Sequence, residues 1–397
     1  MNIRCAAASM ITALSIASVS PVVFAGDDAL TLALADVETK ELATLLNKNP
    51  SLSLSVQMQF RYQANIRDDA STTITNPDDD VSIGFVMRRL KLEASSAITD
   101  NLKAKLVLAV DRKTGTAFLE DTYADWKVSD DVTLRIGQFK LPILREEIVS
   151  SKRQLAVERS ATNETFTQNR SQGIQANFGG EDWRAMLTFS DGIESDNTTF
   201  NDSAEADYSF TARGEMKFGE ATFRQFRQFT SFRGATSGGL LGGAVSWQTM
   251  GETNPATAMP TDMLLLTGDF SWIDDGWNAY AALIYRNTDN GMMSFDDIGA
   301  VVQGGFFVAE NTELYGRWDA VFPDSSRGTT GNDFHSVSFG VNHYLIPESH
   351  AAKFTFGVSI ALDPTTESIV STSDGHNLLP DSESGQIELM AQMHLLF

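Results

Sequence analysis

The sequence predicts an all-β protein: a 16-stranded antiparallel transmembrane β-barrel preceded by a short helical segment. Three observations predict it. Apolar and polar residues alternate with a period of two from Ser53 to the last residue. The connectors between alternating runs are by turns long and short. Aromatic residues gather near the ends of the runs, as at Phe60, Tyr62, Trp126, Trp183, Phe189, Trp272, Trp277, Tyr344 and Phe397.

In chain order, Arg4, the apolar stretch Ala6 to Ala17 and Val23-Phe24-Ala25 have the layout of a cleaved export leader. The expected division is therefore 1–25 leader, 26–50 short periplasmic segment and 51–397 barrel. The single cysteine, Cys5, lies in the leader, so the mature chain is expected to form no disulfide or thiolate metal site. Leu30, Leu34, Val37, Leu42, Leu45 and Leu46 carry helical spacing that stops before Pro50. No later stretch is long and apolar enough for a transmembrane helix.

From Ser53 the period is that of strands. Strands are expected over 53–66, 81–97, 101–110, 117–128, 131–139, 172–179, 182–190, 207–219, 239–249, 263–273, 277–287, 297–308, 312–321, 333–345, 353–363 and 385–397. The connectors 67–80, 111–116, 140–171, 191–206, 250–262, 288–296, 322–332 and 364–384 fall at one end and are the longer set. Those at the other end are short, or moderate at 346–352, except 220–238, which reflects either a misassigned pair or an excursion. Short turns at one end and long loops at the other mark an outer-membrane barrel. Closure also removes the unpaired strand edges that lipid would leave unsatisfied. A soluble sandwich would alternate too, but its connectors would not sort by parity. In the last run, Ile387, Leu389, Ala391, Met393 and Leu395 are expected to face lipid, while Glu388, Gln392 and His394 face the lumen. Phe397 closes it, either as an interfacial anchor or as a signal to the barrel assembly machinery.

The net charge of −22 argues against a nucleic-acid partner. "FRQFRQFTSFR" (Phe223 to Arg233) interleaves aromatic and basic residues as single-strand binders do, yet acidity and export oppose that use. Its period of three fits neither a strand nor a straight α-helix. Asp78-Asp79-Asp80, Asp274-Asp275 and Asp296-Asp297 offer carboxylates for calcium, or else form solvated or lipopolysaccharide-bridging loops. His335, His343, His350, His376 and His394 lack metal-ligand spacing. No nucleophile elbow, triad or phosphate-binding glycine loop is present, so neither an enzyme nor a cofactor is predicted.

The stretch 140–171 is too long for an idle connector. Gly137-Gln138-Phe139-Lys140-x-Pro142, Ser150-Ser151-Lys152, Glu158-Arg159-Ser160 and Asn169-Arg170-x-x-Gly173 resemble the phosphate-selective porin O and P family. Phe85 to Ile98, "FVMRRLKLEASSAI", resembles that family's early Arg-Arg strand. The chain departs from the family at Ile143-Leu144-Arg145-Glu146, where an aromatic, a glycine and an acid are usual. The resemblance implies a homotrimer of barrels whose third long loop folds inward to narrow a pore, with phosphate as cargo.

Cations in that loop would concentrate anions in a narrow passage. Candidates for the constriction are Lys140, Arg145, Lys152, Arg153, Arg159 and Arg170; the alternative is that they pair with Glu146, Glu147, Glu158 and Glu164 and pin the loop. Strand parity nominates Arg61, Arg89, Lys91, Lys103, Lys105, Arg135, Arg213, Lys217 and Arg317 for the lumen wall. Glu93, Glu215, Asp319 and Glu388 face in as well. Arg88, sharing parity with Leu90, is expected to face outward. The function predicted is a passive outer-membrane diffusion channel for small hydrophilic solutes, preferring anions. Alternatives are a general or cation-tolerant porin, an outer-membrane enzyme and a secreted soluble β-protein.

Overall fold

The computed structural model describes residues 52–67, 80–200, 202, 205–250, 261–372 and 378–397. The leader and helical segment expected within 1–50, Cys5, Asp78, Asp79 and His376 lie outside the described residues.

Sixteen strands close into an antiparallel barrel. They are β1 (Ser53–Ile66), β2 (Val81–Ala97), β3 (Leu102–Val110), β4 (Ala117–Lys127), β5 (Val132–Lys140), β6 (Arg170–Gly179), β7 (Trp183–Ser190) and β8 (Tyr208–Gly219). The rest are β9 (Gly238–Met250), β10 (Thr261–Asp274), β11 (Trp277–Asp289), β12 (Ser294–Ala309), β13 (Thr312–Phe322), β14 (Phe334–Tyr344), β15 (Ala352–Ala361) and β16 (Ile387–Leu396). Every strand expected from the alternation is present, with ends shifted by a few residues.

β16 pairs with β1 from Gln57↔Leu396 to Ile66↔Ile387, so the described sheet has no free edge. Phe397 extends this seam, its N–H donating to the Val56 carbonyl at 3.1 Å. The apolar parity faces outward: Leu283 is 65% exposed and its neighbour Ala282 8%. In water such a surface would be unfavourable; in a bilayer it is the solvated face.

Two irregularities aim charge inward. Along β2 the exposed set is Ile83, Phe85 and Met87, then Leu90 and Leu92. Parity therefore changes across Arg88-Arg89, as it does at a bulge. Both arginines then share the lumen side, and the outward placement expected for Arg88 is corrected. In β4 the register slips between Leu106↔Thr122 and Leu108↔Leu119. The extra residue in β4 lets Glu120 and Asp121 both reach lumen cations, at Lys91 and Lys105.

The long connector at the short-turn end is an excursion, not a misassigned pair. β8 and β9 pair down to Gly219↔Gly238, and residues 220–237 leave and rejoin the sheet at that point.

Candidate channel constriction

The loop 141–169 between β5 and β6 is built of short pieces: helices α1 (Arg145–Ile148) and α2 (Ala161–Phe166), and a 3-10 turn at Ser151–Arg153. Ser160 starts α2, its hydroxyl accepting from the Asn163 N–H at 2.9 Å while donating to Glu146 Oε2 at 2.6 Å. Such capping satisfies amides that a six-residue helix cannot satisfy itself.

Lumen-facing wall residues hold this loop around most of the circumference. Arg213 donates to the Ile143 carbonyl at 2.9 Å, Arg317 to that of Glu158 at 2.8 Å, Asn342 to that of Leu155 at 2.8 Å and Lys353 to that of Gln154 at 3.1 Å. Its lower turn reaches β1, where Gln57 Nε2 donates to Ser151 Oγ at 3.2 Å. Apolar contacts complete the seat: Leu141, Ile143, Leu144, Ala161 and Phe166 pack with Leu265, Ile284 and Val321 of the wall.

The Glu158 carboxylate is the centre of the clamp. Arg88 Nε lies 2.6 Å away, Arg89 Nη2 2.8 Å, and Arg61 also bonds to it. Burial pushes this carboxyl up, but Arg88, Arg89 and Arg61 outweigh that and hold it well below its ordinary range. Glu147 is similar: burial raises it, while Arg159 and Lys140 bring it down to about 2.

A cavity of about 320 Å³ remains between loop and wall. Its cationic lining is Lys91, Lys105, Arg135, Lys140, Lys152, Arg153 and Arg170, against Glu93, Glu120 and Asp121. Arg170 braces two of these acids, with Nη2 3.0 Å from Glu120 and Nε 2.8 Å from Asp121. Lys152 sits 2.5 Å from Glu93. Arg135 lies 2.8 Å from Asp125 and 3.9 Å over the Tyr123 ring.

Of the six loop cations expected at the constriction, Lys140, Lys152, Arg153 and Arg170 line this cavity. Arg145 and Arg159 do not. Arg145 is buried, donating to Ser271 Oγ at 2.8 Å and to the Phe226 carbonyl at 2.6 Å. Arg159 ties the loop to itself through the Glu146 carbonyl at 3.0 Å and Glu147 Oε2 at 3.1 Å. On the wall, Lys91, Lys105 and Arg135 face the cavity, and Arg61 and Arg89 serve Glu158. Arg213 sits under the loop beside Glu215 and Asp269. Lys103 is exposed near the short turn, and Lys217 pairs with Asp182. Arg88, Arg286 and Lys353 were not nominated from the sequence. Lys353 shares the parity of the lumen-facing Thr355 and Arg286 that of Ala282, so both were legible; only the bond from Arg286 to the Thr165 carbonyl, at 3.0 Å, depends on the path of the loop.

The 220–237 excursion also enters the lumen. Phe226 packs with Ala221, Leu240 and Ile273. Phe229 lies 4.8 Å from the Tyr280 ring, and its N–H donates to the Arg153 carbonyl at 3.2 Å. The long loop and the excursion thus meet inside the barrel, having entered from opposite ends.

A family model described as phosphate-selective porin O and P matches residues 56–352. A protein of Aquifex aeolicus (strain VF5), described only as uncharacterized, is 29% identical over 190 residues, which are 41% of this chain and 44% of that protein. The chain thus spans less than half the length of that relative. An anion-selective porin from Comamonas acidovorans is similar in fold at 12% identity and TM-score 0.58, over 87% of this chain and 99% of that one. The outer membrane channel DcaP of Acinetobacter baumannii gives 12%, 0.58, 87% and 98% on the same measures. OmpT of Vibrio cholerae, an outer membrane protein in its trimer form, gives 13%, 0.57, 87% and 99%. At these identities the likeness concerns the barrel fold alone. Matched by the family model from β1 through the start of β15, the chain belongs to the phosphate-selective porin O and P family.

Proposed function

We propose that the protein is a passive outer-membrane channel for small hydrophilic solutes, with a preference for anions such as phosphate. The observation that carries this reading is the charge of the cavity. Seven lysine and arginine side chains line it against three acids, in a chain whose net charge is −22. Asp125 and Glu147, which pair with lining cations from just outside that set, still leave cations in excess. In a confined passage such a surplus raises the local anion concentration and replaces part of the hydration an anion sheds. Arginine and lysine also suit oxyanions, as a two-pronged donor and as a point charge.

Reversal potential in a potassium chloride gradient across a planar bilayer, with and without phosphate, tests the proposal. An anion-selective potential and a phosphate-dependent loss of chloride current are expected. A potential of the opposite sign, with no effect of phosphate, would favour a general, cation-tolerant porin. The pairing of most lining cations with acids is the observation that favours this second reading. The resemblance and the trimeric form of the Vibrio protein support a homotrimer. Lipopolysaccharide around the long loops and recognition of Phe397 by the barrel assembly machinery belong to the same proposal.

A further inference from the structure

Past its root, where Phe223 lies against Arg184 and Lys217 of β7 and β8, the 220–237 excursion fastens to the lumen wall from β9 to β14. Phe226 is buried against Leu240 of β9 and Ile273 of β10. The Ser231 hydroxyl donates to the Asp274 carbonyl at 2.5 Å. Phe229 clusters with Tyr280 and Ala282 of β11 and Val301 of β12. Thr230 donates to Glu313 of β13 at 3.3 Å and shares a hydrogen bond of 2.8 Å with the Tyr344 hydroxyl of β14. Phe232 stacks among Phe307, Tyr344 and His350.

The same segment meets the long loop. Phe229 touches the cluster that holds Leu155 and Ala156, and the Phe226 carbonyl accepts from Arg145 at 2.6 Å. The cavity lies on the other side of the barrel: its lining comes from β1 to β7 and from the loop. A sixteen-stranded barrel is wide enough for an aqueous channel, and its interior is ordinarily polar. Two residues would suffice to join β8 to β9. The longer segment instead fills the β9–β14 side with buried aromatic rings, Phe226 and Phe229 being 1% and 3% exposed.

We propose that the excursion is a selectivity element of the channel: a plug that closes the β9–β14 side of the short-turn end and confines solutes to the cation-lined passage along β1–β7. The proposal rests on the channel reading and adds that selectivity needs the plug as well as the lining. Ions crossing beside β9–β14 would not meet the lining cations, and a wider passage would leave more of their hydration in place.

The test compares the full chain in planar bilayers with a variant lacking 221–236, in which Glu220-Ser237 joins β8 to β9 as a two-residue hairpin. Single-channel conductance should rise by about twofold or more, and the anion-to-cation permeability ratio should fall toward unity, as when a constriction widens. F226A/F229A/F232A keeps the chain and removes its anchors; it should act in the same direction, so the test survives a deletion that fails to fold. R170Q should lower the ratio far less in the deletion than in the intact protein, because most current no longer passes Arg170. Limited proteolysis of the loop should run as in the wild type, since Arg317, Asn342 and Lys353 still hold it. Wild-type conductance and ratio in both variants overturn the plug. Higher conductance with faster cleavage of the loop also overturns it, because the narrowing then belongs to the loop alone. Higher conductance with an intact loop supports the plug even where the wild type shows no anion preference, and in that case the anion reading alone falls.

Discussion

Arg89 grips Glu158 through two parallel hydrogen bonds, Nη1 to Oε1 at 3.0 Å and Nη2 to Oε2 at 2.8 Å. The arginine belongs to the wall and the carboxylate to the loop, so this pair is a rivet between the two. The bulge at Arg88-Arg89 gives the same carboxylate a second donor from the same strand, and Arg61 adds a third.

Glu158→Gln strands three buried or half-buried guanidiniums. Breaking a buried pair from one side costs about 3–5 kcal/mol. The loop should lift from the wall, giving larger and flickering single-channel currents and a lower midpoint for heat denaturation. Currents and midpoint equal to the wild type would show that the rivet does not hold the loop.

Acid should loosen the loop in a defined window. The Glu147 carboxyl falls from its ordinary 4.5 to about 2 in the folded state, because Arg159 and Lys140 outweigh burial. A carboxyl lowered by folding stabilises fully above its unfolded value, and that stabilisation drains away as the pH falls through the folded one. Roughly 3 kcal/mol is at stake for a shift of this size. Limited proteolysis of the loop should accelerate between about pH 4.5 and pH 2, and Glu147→Gln should flatten the profile. A wild-type profile already flat across that window would exclude this contribution.

The loop rests on glycines. A Cβ at Gly299 would lie 2.7 Å from Phe166 Cε2 and from Thr162 Cγ2, and one at Gly305 2.8 Å from Leu155 Cδ1. Both glycines sit in β12, whose hydrogen bonds a side chain need not disturb. Gly299→Val and Gly305→Val should therefore displace the loop and alter conductance, while the barrel keeps its heat-modifiable mobility. Wild-type conductance in both variants would mean that Phe166 and Leu155 simply move aside.

Arg170→Gln removes one lining cation and takes a counter-charge from both Glu120 and Asp121, which keep only Lys91 and Lys105. The anion-to-cation permeability ratio should fall several-fold toward unity, read from the reversal potential, with a smaller fall for Lys152→Gln, which uncovers Glu93 alone. Equal effects of the two variants would show that the double bracing by Arg170 is immaterial.

The barrel was legible because lipid and lumen impose opposite demands on neighbouring residues, as at Leu283 and Ala282. Arg88 was misplaced because alternation was extended through an inserted residue; the switch from Ile83-Phe85-Met87 to Leu90-Leu92 was the available signal. For the 220–237 excursion the repeat was visible, but a period of three fits neither a strand nor a straight α-helix, and only a short 3-10 turn at Gln225–Arg227 forms within it. The loop cations could not be sorted into lining and internal sets from sequence. Whether Arg145 meets the cavity or the Phe226 carbonyl depends on the route of the loop across the lumen. The same holds for Asp297, which lies buried between Arg286 and Arg327 rather than in a solvated acidic patch.

The partners of the loop carry an implication for biogenesis. Arg61 comes from the first strand, while Arg317, Asn342 and Lys353 come from strands thirteen to fifteen. Those groups become neighbours only when the two terminal strands have zipped together. Until that seam is sealed the loop lacks part of its seat, so its full set of anchors exists only in the closed barrel.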